Sequence, residues 1–317
     1  MSHNDSQRSP KKVDSYCRIS LESRSTVPYF CNYPLVAGGV STRAVVVIHG
    51  INRNADDYFR SIGRAAISVG ANDAVIVAPH FLIEEDERRD HDAYWTDSGG
   101  TSWKDGGGAV APPGLSSFTV MDQILTMLAN KNQFPLLTSI TLIGHSAGGQ
   151  FIQRYAAGGR APCALADVTI RYVVANPSSY LYLNSYRPVE ADPRKTCPEY
   201  NDYKYGLEKR NEYFGSLSDT QIRRQYIGRR VIYMLGDADV NRDDNLEMNC
   251  AANVQGKNRF QRGRYYYSFI QRYFPSAVHD MVVVPGVGHD HDAMFNSTQG
   301  KSTIFGNQTA QQPCVAE

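Results

Sequence analysis

Long apolar runs are missing from this 317-residue chain. No stretch approaches the roughly 18 apolar residues of a membrane-spanning helix, so no membrane span is expected. A charge excess of either sign is missing too. The formal net charge is +1, which supplies no field for nucleic acid or an anionic membrane. The basic pairs Arg223-Arg224 and Arg229-Arg230 read as solvated flanks of helices or strands. The stretch Met1 to Pro10 is polar and has no apolar core of the signal-peptide kind. Residues 1–12 therefore read as a disordered tail. The expected location is the cytoplasm, with a mature secreted form as the alternative. No cysteine stands in a C-x-x-C pair, which argues against zinc and redox motifs. Six cysteines in a chain of this length do not demand disulfides. Internal repeats and low-complexity linkers are also absent, so residues 13–317 read as one large α/β domain.

What is present is a series of short, almost wholly apolar runs. Ala44–Ile48 and Ala74–Ala78 are of the kind that parallel strands need when both faces are buried. Between them Phe59, Ile62, Ala66 and Val69 recur at helical spacing, with Asn54 placed to cap the helix and Gly70 to end it. Strand, helix, strand is a βαβ unit and implies a parallel sheet. Val168–Ala175, Arg230–Leu235 and Val278–Val284 are further strands, and a helix runs from about Asn258 to Phe274. Two N-terminal strands fall between Val13 and Val36, where Pro28 and Pro34 suit a sheet edge. Residues 80–117 form a long loop holding both tryptophans, and loops of that length are usually functional or mobile. Residues 176–229 carry eight tyrosines and read as a lid-like insertion. Those tyrosines either line a pocket or shield the core.

The stretch Ser139-Ile-Thr-Leu-Ile-Gly-His-Ser-Ala-Gly-Gly149 organises the rest. Ile140–Ile143 reads as a buried strand, and Phe151, Ile152, Tyr155 and Ala156 as one face of a helix. Between them lies Gly144-His-Ser-Ala-Gly148, the pattern G-x-S-x-G. A sharp strand-to-helix turn holds its serine in a strained backbone, and only very small neighbours fit beside it. The hydroxyl then stands over a helix N-terminus, where free N–H groups favour a developing oxyanion. Three other chemistry-bearing groups share this address at the end of a core strand: His49-Gly50, Asp239 and His289. In a parallel sheet those ends lie on one edge, where α/β proteins place their sites.

With these residues on the page the chain resembles the α/β-hydrolase family. The resemblance runs from about Ala44 to Phe295 and is carried by Gly144–Gly148, Gly236-Asp-Ala-Asp239, Gly286-Val-Gly-His289 and His49-Gly50. A weaker likeness, to small uncharacterised hydrolases with His-Gly-x-x-Arg-Asn after the first parallel strand, names no substrate. The order Ser…Asp…His is the family's. It implies a mostly parallel sheet flanked by helices and a triad of Ser146, Asp239 and His289. His289 would take the serine proton, and the carboxylate would fix its tautomer. The N–H groups of Ala147 and Ile51 would hold the oxyanion.

Asp237 competes with Asp239, and could instead cap the turn, leaving Asp243 or Asp244 exposed; His291 competes with His289. Spacing in the family favours Asp239 and His289. Tyr58, Trp95 and Trp103 are candidate pocket walls, and His145 is either a pocket residue or a structural one. The run His289-Asp-His-Asp292 could hold a cation, but no H-E-x-x-H or comparable spacing accompanies it, so neither metal nor cofactor is expected. The function expected is that of a serine hydrolase cleaving an ester or related acyl bond of a small molecule through an acyl-enzyme. Acyl transfer, C–C bond hydrolysis and non-catalytic binding on the same fold are the alternatives. A serine nucleophile argues against haloalkane dehalogenase or epoxide hydrolase chemistry.

Overall fold

A computed structural model describes residues 17–21, 24–35, 39–165 and 167–306. The expected N-terminal tail lies outside them. One eight-stranded sheet organises the chain. Its strands are β1 (Cys17–Ser20), β2 (Thr26–Cys31), β3 (Arg43–Ile48), β4 (Val75–Pro79), β5 (Ser139–His145), β6 (Thr169–Ala175), β7 (Arg230–Gly236) and β8 (His279–Val284). They lie in the order β1-β2-β4-β3-β5-β6-β7-β8. β1 and β2 pair antiparallel, as do β2 and β4, and all other pairs are parallel.

Helices α1 (Ala55–Ser68), α2 (Ser117–Ala129), α3 (Ala147–Gly158), α4 (Asp219–Gly228), α5 (Arg259–Tyr273), α6 (His291–Asn296) and α7 (Thr298–Phe305) cover the two faces. Successive strand residues point to opposite faces, so each central strand feeds two cores. Val46 and Ile48 of β3 join one cluster with α2, α3, α4 and α5. Val45 and Val47 join another with α1, α6 and α7. That two-sided burial is why these strands read as unbroken apolar runs.

Several local expectations change. β2 is not an edge strand: β1 takes the edge, and Pro28 is tolerated because the ladder to β4 runs only over Tyr29–Cys31, beyond the residue that lacks an N–H. The buried face of α1 is Tyr58, Ile62, Ala65 and Ala66, while Val69 past its end is exposed. Asn54 stands at the N-cap of α1, but its side chain bonds Asp57 and no backbone N–H. Arg229 is not a solvated flank. It is 1% exposed and donates to the carbonyls of Tyr155, Ala156 and Gly159. Carbonyls at the end of a helix run short of partners; Tyr155 O takes the Gly159 N–H as well, and the guanidinium adds its donors to all three.

The long loop after β4 is pinned rather than loose. Leu82–Ile83 pairs with Tyr94–Trp95, and Phe81 stacks on Trp103 and packs against Trp95 and Phe151. The 176–229 segment is tied to α3. Gln153 donates to Leu181 O, Tyr226 Oη and Tyr266 Oη and accepts from Leu181 N–H. Tyr180, Leu181, Tyr182 and Leu183 are wholly buried in the main core. Most tyrosines of this segment therefore shield the core rather than line an open pocket. Cys197 and Cys250 are joined by a disulfide that was not required by cysteine density, with Cα atoms 5.7 Å apart. It links this segment to the chain after β7, beside a small cluster of Tyr200, Tyr205, Ala251 and Ala252.

Candidate active site

The turn between β5 and α3 has the conformation its glycines foreshadow. Ser146 sits at φ 59° and ψ −121°, a positive φ that a serine adopts only under constraint. A Cβ at Gly144 would lie 2.2 Å from Gly148 O, and one at Gly148 would lie 2.1 Å from Ile48 O. The two glycines are thus required by the close approach of β3, β5 and α3. Ser146 N–H donates to Ala175 O at 3.0 Å, which anchors the turn to β6.

The structure brings Ser146, His289 and Asp239 together. His289 Nε2 is 2.9 Å from Ser146 Oγ, and its Nδ1 is 2.7 Å from Asp239 Oδ2. A carboxylate can only accept, so Nδ1 carries the ring proton and Nε2 is left to accept from the hydroxyl. His291 is elsewhere: it stacks on Tyr58 at 4.0 Å, and burial lowers its pKa. Asp237 faces the turn, where Oδ1 accepts from Gly286 N–H at 2.7 Å. The run from His289 to Asp292 does not converge on one point. Asp290 caps α6, and Asp292 takes Ser61 and Arg64. Ligand atoms of His145, Asp239 and His289 do lie within 4.8 Å of one another, but two of these three side chains already form the hydrogen-bonded chain to Ser146.

Asp239 is held by groups that sequence reasoning missed. It is 1% exposed, and its Oδ1 has no hydrogen-bond partner among the described residues. Arg259 Nη1, at the start of α5, stands 3.5 Å from that oxygen. Arg259 is itself fixed by Asp243 through two bonds of 2.7 and 2.8 Å. The Arg259 bonds hold the Asp243 carboxyl below its usual range, so Asp243 is an ion-pair partner and not a free surface acid. Asn176, at the end of β6, accepts from Gly236 N–H at 2.9 Å and reaches Gly288 O at 3.4 Å. It therefore ties the loops that carry Asp239 and His289. Its position at a strand end, shared with the other site residues, was the available signal.

On the other side, the loop after β3 closes on the serine. A Cβ at Gly50 would be 3.8 Å from Ser146 Cβ and 2.7 Å from Tyr58 Oη. Ile51 follows and is partly buried, with its carbonyl accepting from Arg53. Ala147 opens α3 beside the serine, which leaves its N–H among the groups with no partner in the helix. His49 is a buried strut: Nε2 accepts from Phe81 N–H and Nδ1–H donates to Gly50 O. Burial, helped by nearby His80, pushes its pKa well down and keeps it neutral.

Of the expected pocket residues, Trp95 is not brought to the site. It is fully buried in the core and donates to Gly107 O and Leu115 O. Trp103 is also fully buried; its ring lies 4.6 Å from that of His49, behind the loop rather than in an open cleft. Tyr58 is buried beneath the same loop. His145 is buried with its ring 4.5 Å from that of His289, and burial holds it neutral. Large apolar rings joined the core because their area is worth most there.

The architecture is the α/β-hydrolase fold. Two solved structures illustrate the likeness. A poly(3-hydroxybutyrate) depolymerase from Bordetella parapertussis superposes with a TM-score of 0.66 at 23% identity, over 92% of this chain and 89% of that one. A poly(aspartic acid) hydrolase-1 from Sphingomonas sp. KT-1 gives 0.58 at 18%, over 85% and 90%. No protein-family model matches the chain, and no curated protein matches it by sequence.

Proposed function

We propose that the protein is a serine hydrolase that cleaves an ester of a small molecule through an acyl-enzyme. The observation that carries this reading is the unbroken hydrogen-bond chain Ser146–His289–Asp239, with links of 2.9 and 2.7 Å. A serine hydroxyl is a weak nucleophile at neutral pH and needs a base. Ser146 Oγ attacks the ester carbonyl as its proton passes to His289 Nε2. The carbonyl becomes an oxyanion between the N–H groups of Ala147 and Ile51. Loss of one such donor typically costs about 3 kcal/mol of transition-state stabilisation. His289 then protonates the leaving alcohol, and the acyl group stays on Ser146. Water, deprotonated by the same ring, releases the acid and restores the serine. Asp239 stays ionised and supports the imidazolium in both halves.

The test is labelling with a fluorophosphonate probe, followed by a panel of p-nitrophenyl esters. The wild type takes the label and turns over esters, whereas Ser146→Ala does neither. A wild type that is unlabelled and inert overturns the proposal.

A further inference from the structure

Two charges stand behind the triad, and the chemistry above does not use them. Arg259 opens α5, and the next N–H along that helix, of Phe260, donates to Asp239 O at 3.2 Å. The guanidinium meets the carboxylate on the oxygen that His289 leaves free. Its grip is unequal. Nη1 stands 3.5 Å from Asp239 Oδ1, whereas Nη1 and Nη2 bond Asp243 at 2.7 and 2.8 Å. The side chains of Asp239 and Arg259 are wholly buried, and that of Asp243 is 38% exposed. Asp243 is set by its own turn: Oδ1 accepts from Asn245 N–H and its carbonyl from Leu246 N–H, both at 3.0 Å.

Either simpler arrangement would impair the base. Without a cation, Asp239 Oδ1 would be a buried acceptor with no hydrogen-bond partner among the described residues, which is costly and leaves the carboxylate free to turn. With an uncompensated cation, the guanidinium would oppose the positive charge that His289 gains when it takes the serine proton. Asp243 draws most of the guanidinium to itself, so Arg259 supports Asp239 without quenching it.

Burial leaves these charges poorly screened from the imidazole. The Arg259 bonds hold the Asp243 carboxyl low against its partial burial, and His289 adds a smaller pull. His145, with its ring 4.5 Å from that of His289, is pushed down by burial first, then by His289, His291 and Arg259. Other titratable groups on the packed elements are engaged elsewhere. Asp290 caps α6, His291 stacks on Tyr58, and Asp237 accepts from Gly286 N–H. Burial keeps Tyr180 neutral, Arg262 donates to Gly256 O and Ser178 O, and Glu247 is bonded to Lys204.

We propose that Arg259 and Asp243 form a charge-balanced pair that positions Asp239 and sets how readily His289 takes the serine proton. Both are positioning residues and act through Asp239. The inference rests on the serine hydrolase reading.

The test is the pH profile of kcat/KM on a neutral ester, p-nitrophenyl butyrate. Asp243→Asn keeps the shape and one acceptor but removes a negative charge, so the acid limb moves to lower pH by about half a unit. Arg259→Met removes the cation, so the limb moves to higher pH by about one unit. Its kcat also falls roughly 10- to 100-fold with KM little changed, because Asp239 is no longer held. Arg259→Lys keeps the charge and leaves the limb near its wild-type position. The double variant Arg259→Met with Asp243→Asn returns the limb towards wild type while kcat stays low. A purely structural pair would lower kcat in each variant without shifts of opposite sign. Asp244→Asn, which removes an exposed charge one residue on, controls for the overall field and leaves the limb in place. Should Arg259→Met fail to fold, Asp243→Asn decides. An acid limb unmoved or raised in Asp243→Asn, or lowered as far in Asp244→Asn, overturns the pair and leaves the hydrolase reading intact. A wild type that is unlabelled by the fluorophosphonate and inert on every ester overturns both.

Discussion

Removing the Cys197–Cys250 bond tests a constraint whose size follows from its place in the chain. The bond closes a loop of 53 residues. Loop-closure entropy for that length corresponds to about 4 kcal/mol at room temperature. For a chain of 317 residues the unfolding entropy is roughly 0.7 kcal/mol per kelvin, so the melting temperature falls by about 6 °C. Two perturbations should agree: a reducing phosphine added to the wild type, and the double substitution Cys197→Ala with Cys250→Ala. Alanine is preferred to serine because Cys197 is wholly buried, where an unpaired hydroxyl would add its own cost. The assay is scanning calorimetry with and without reductant, alongside alkylation and mass spectrometry to assign free thiols. Reduction lowers the wild-type transition and leaves the double variant unmoved. The reasoning fails if Cys197 and Cys250 alkylate before reduction, or if the reductant shifts both proteins equally. The same assignment on protein from its native cell tests the cytoplasmic expectation, because such bonds persist in oxidising compartments.

Asp239→Asn should lower kcat by roughly a thousandfold or more, since the amide leaves His289 in the wrong tautomer. Asp237→Asn, which only alters a turn bond to Gly286, should change kcat a few-fold; equal losses in steady-state ester assays would show that the acid is misassigned. His279 supplies a stability prediction. Its Nδ1 faces Tyr233 Oη at 2.9 Å and its Nε2 faces Tyr226 O at 2.8 Å, and burial lowers its pKa to about 4. An unfolded imidazole protonates near pH 6.5, so this contribution is complete above that pH and drains away as pH falls towards 4, by about 3 kcal/mol. Urea melts at pH 7.5 and 4.5 should show a smaller pH-dependent loss in His279→Gln than in the wild type. Matching losses would mean that this ring is not held neutral.

The parallel strands were legible because burial on both faces writes an unmistakable apolar run, as in Ala44–Ile48. The nucleophile turn was legible because its glycines are fixed by backbone contacts a few residues away. What stayed hidden depends on partners distant in sequence. Arg229 reads as surface because charge usually is, yet its partners are the end carbonyls of a helix about 70 residues earlier. Trp95 and Trp103 read as pocket walls because they lie in a long loop, but their area is worth more inside the core. The pairing of Cys197 with Cys250 rests on how two irregular segments dock, which no local pattern encodes. Arg259 and Asn176 serve the site through backbone and carboxylate partners brought in by other strands.

The burial of Arg229 has an electrical consequence. A helix presents partial positive charge at its start and partial negative charge at its end, and in a short helix each end weakens the field of the other. α3 has only 12 residues. A fixed guanidinium against its final carbonyls cancels the negative pole inside the protein, where water screens poorly. The positive pole, at Ala147 beside Ser146, then acts with little opposition. A cation at the far end of the helix thus belongs to the electrostatics of the nucleophile without touching it.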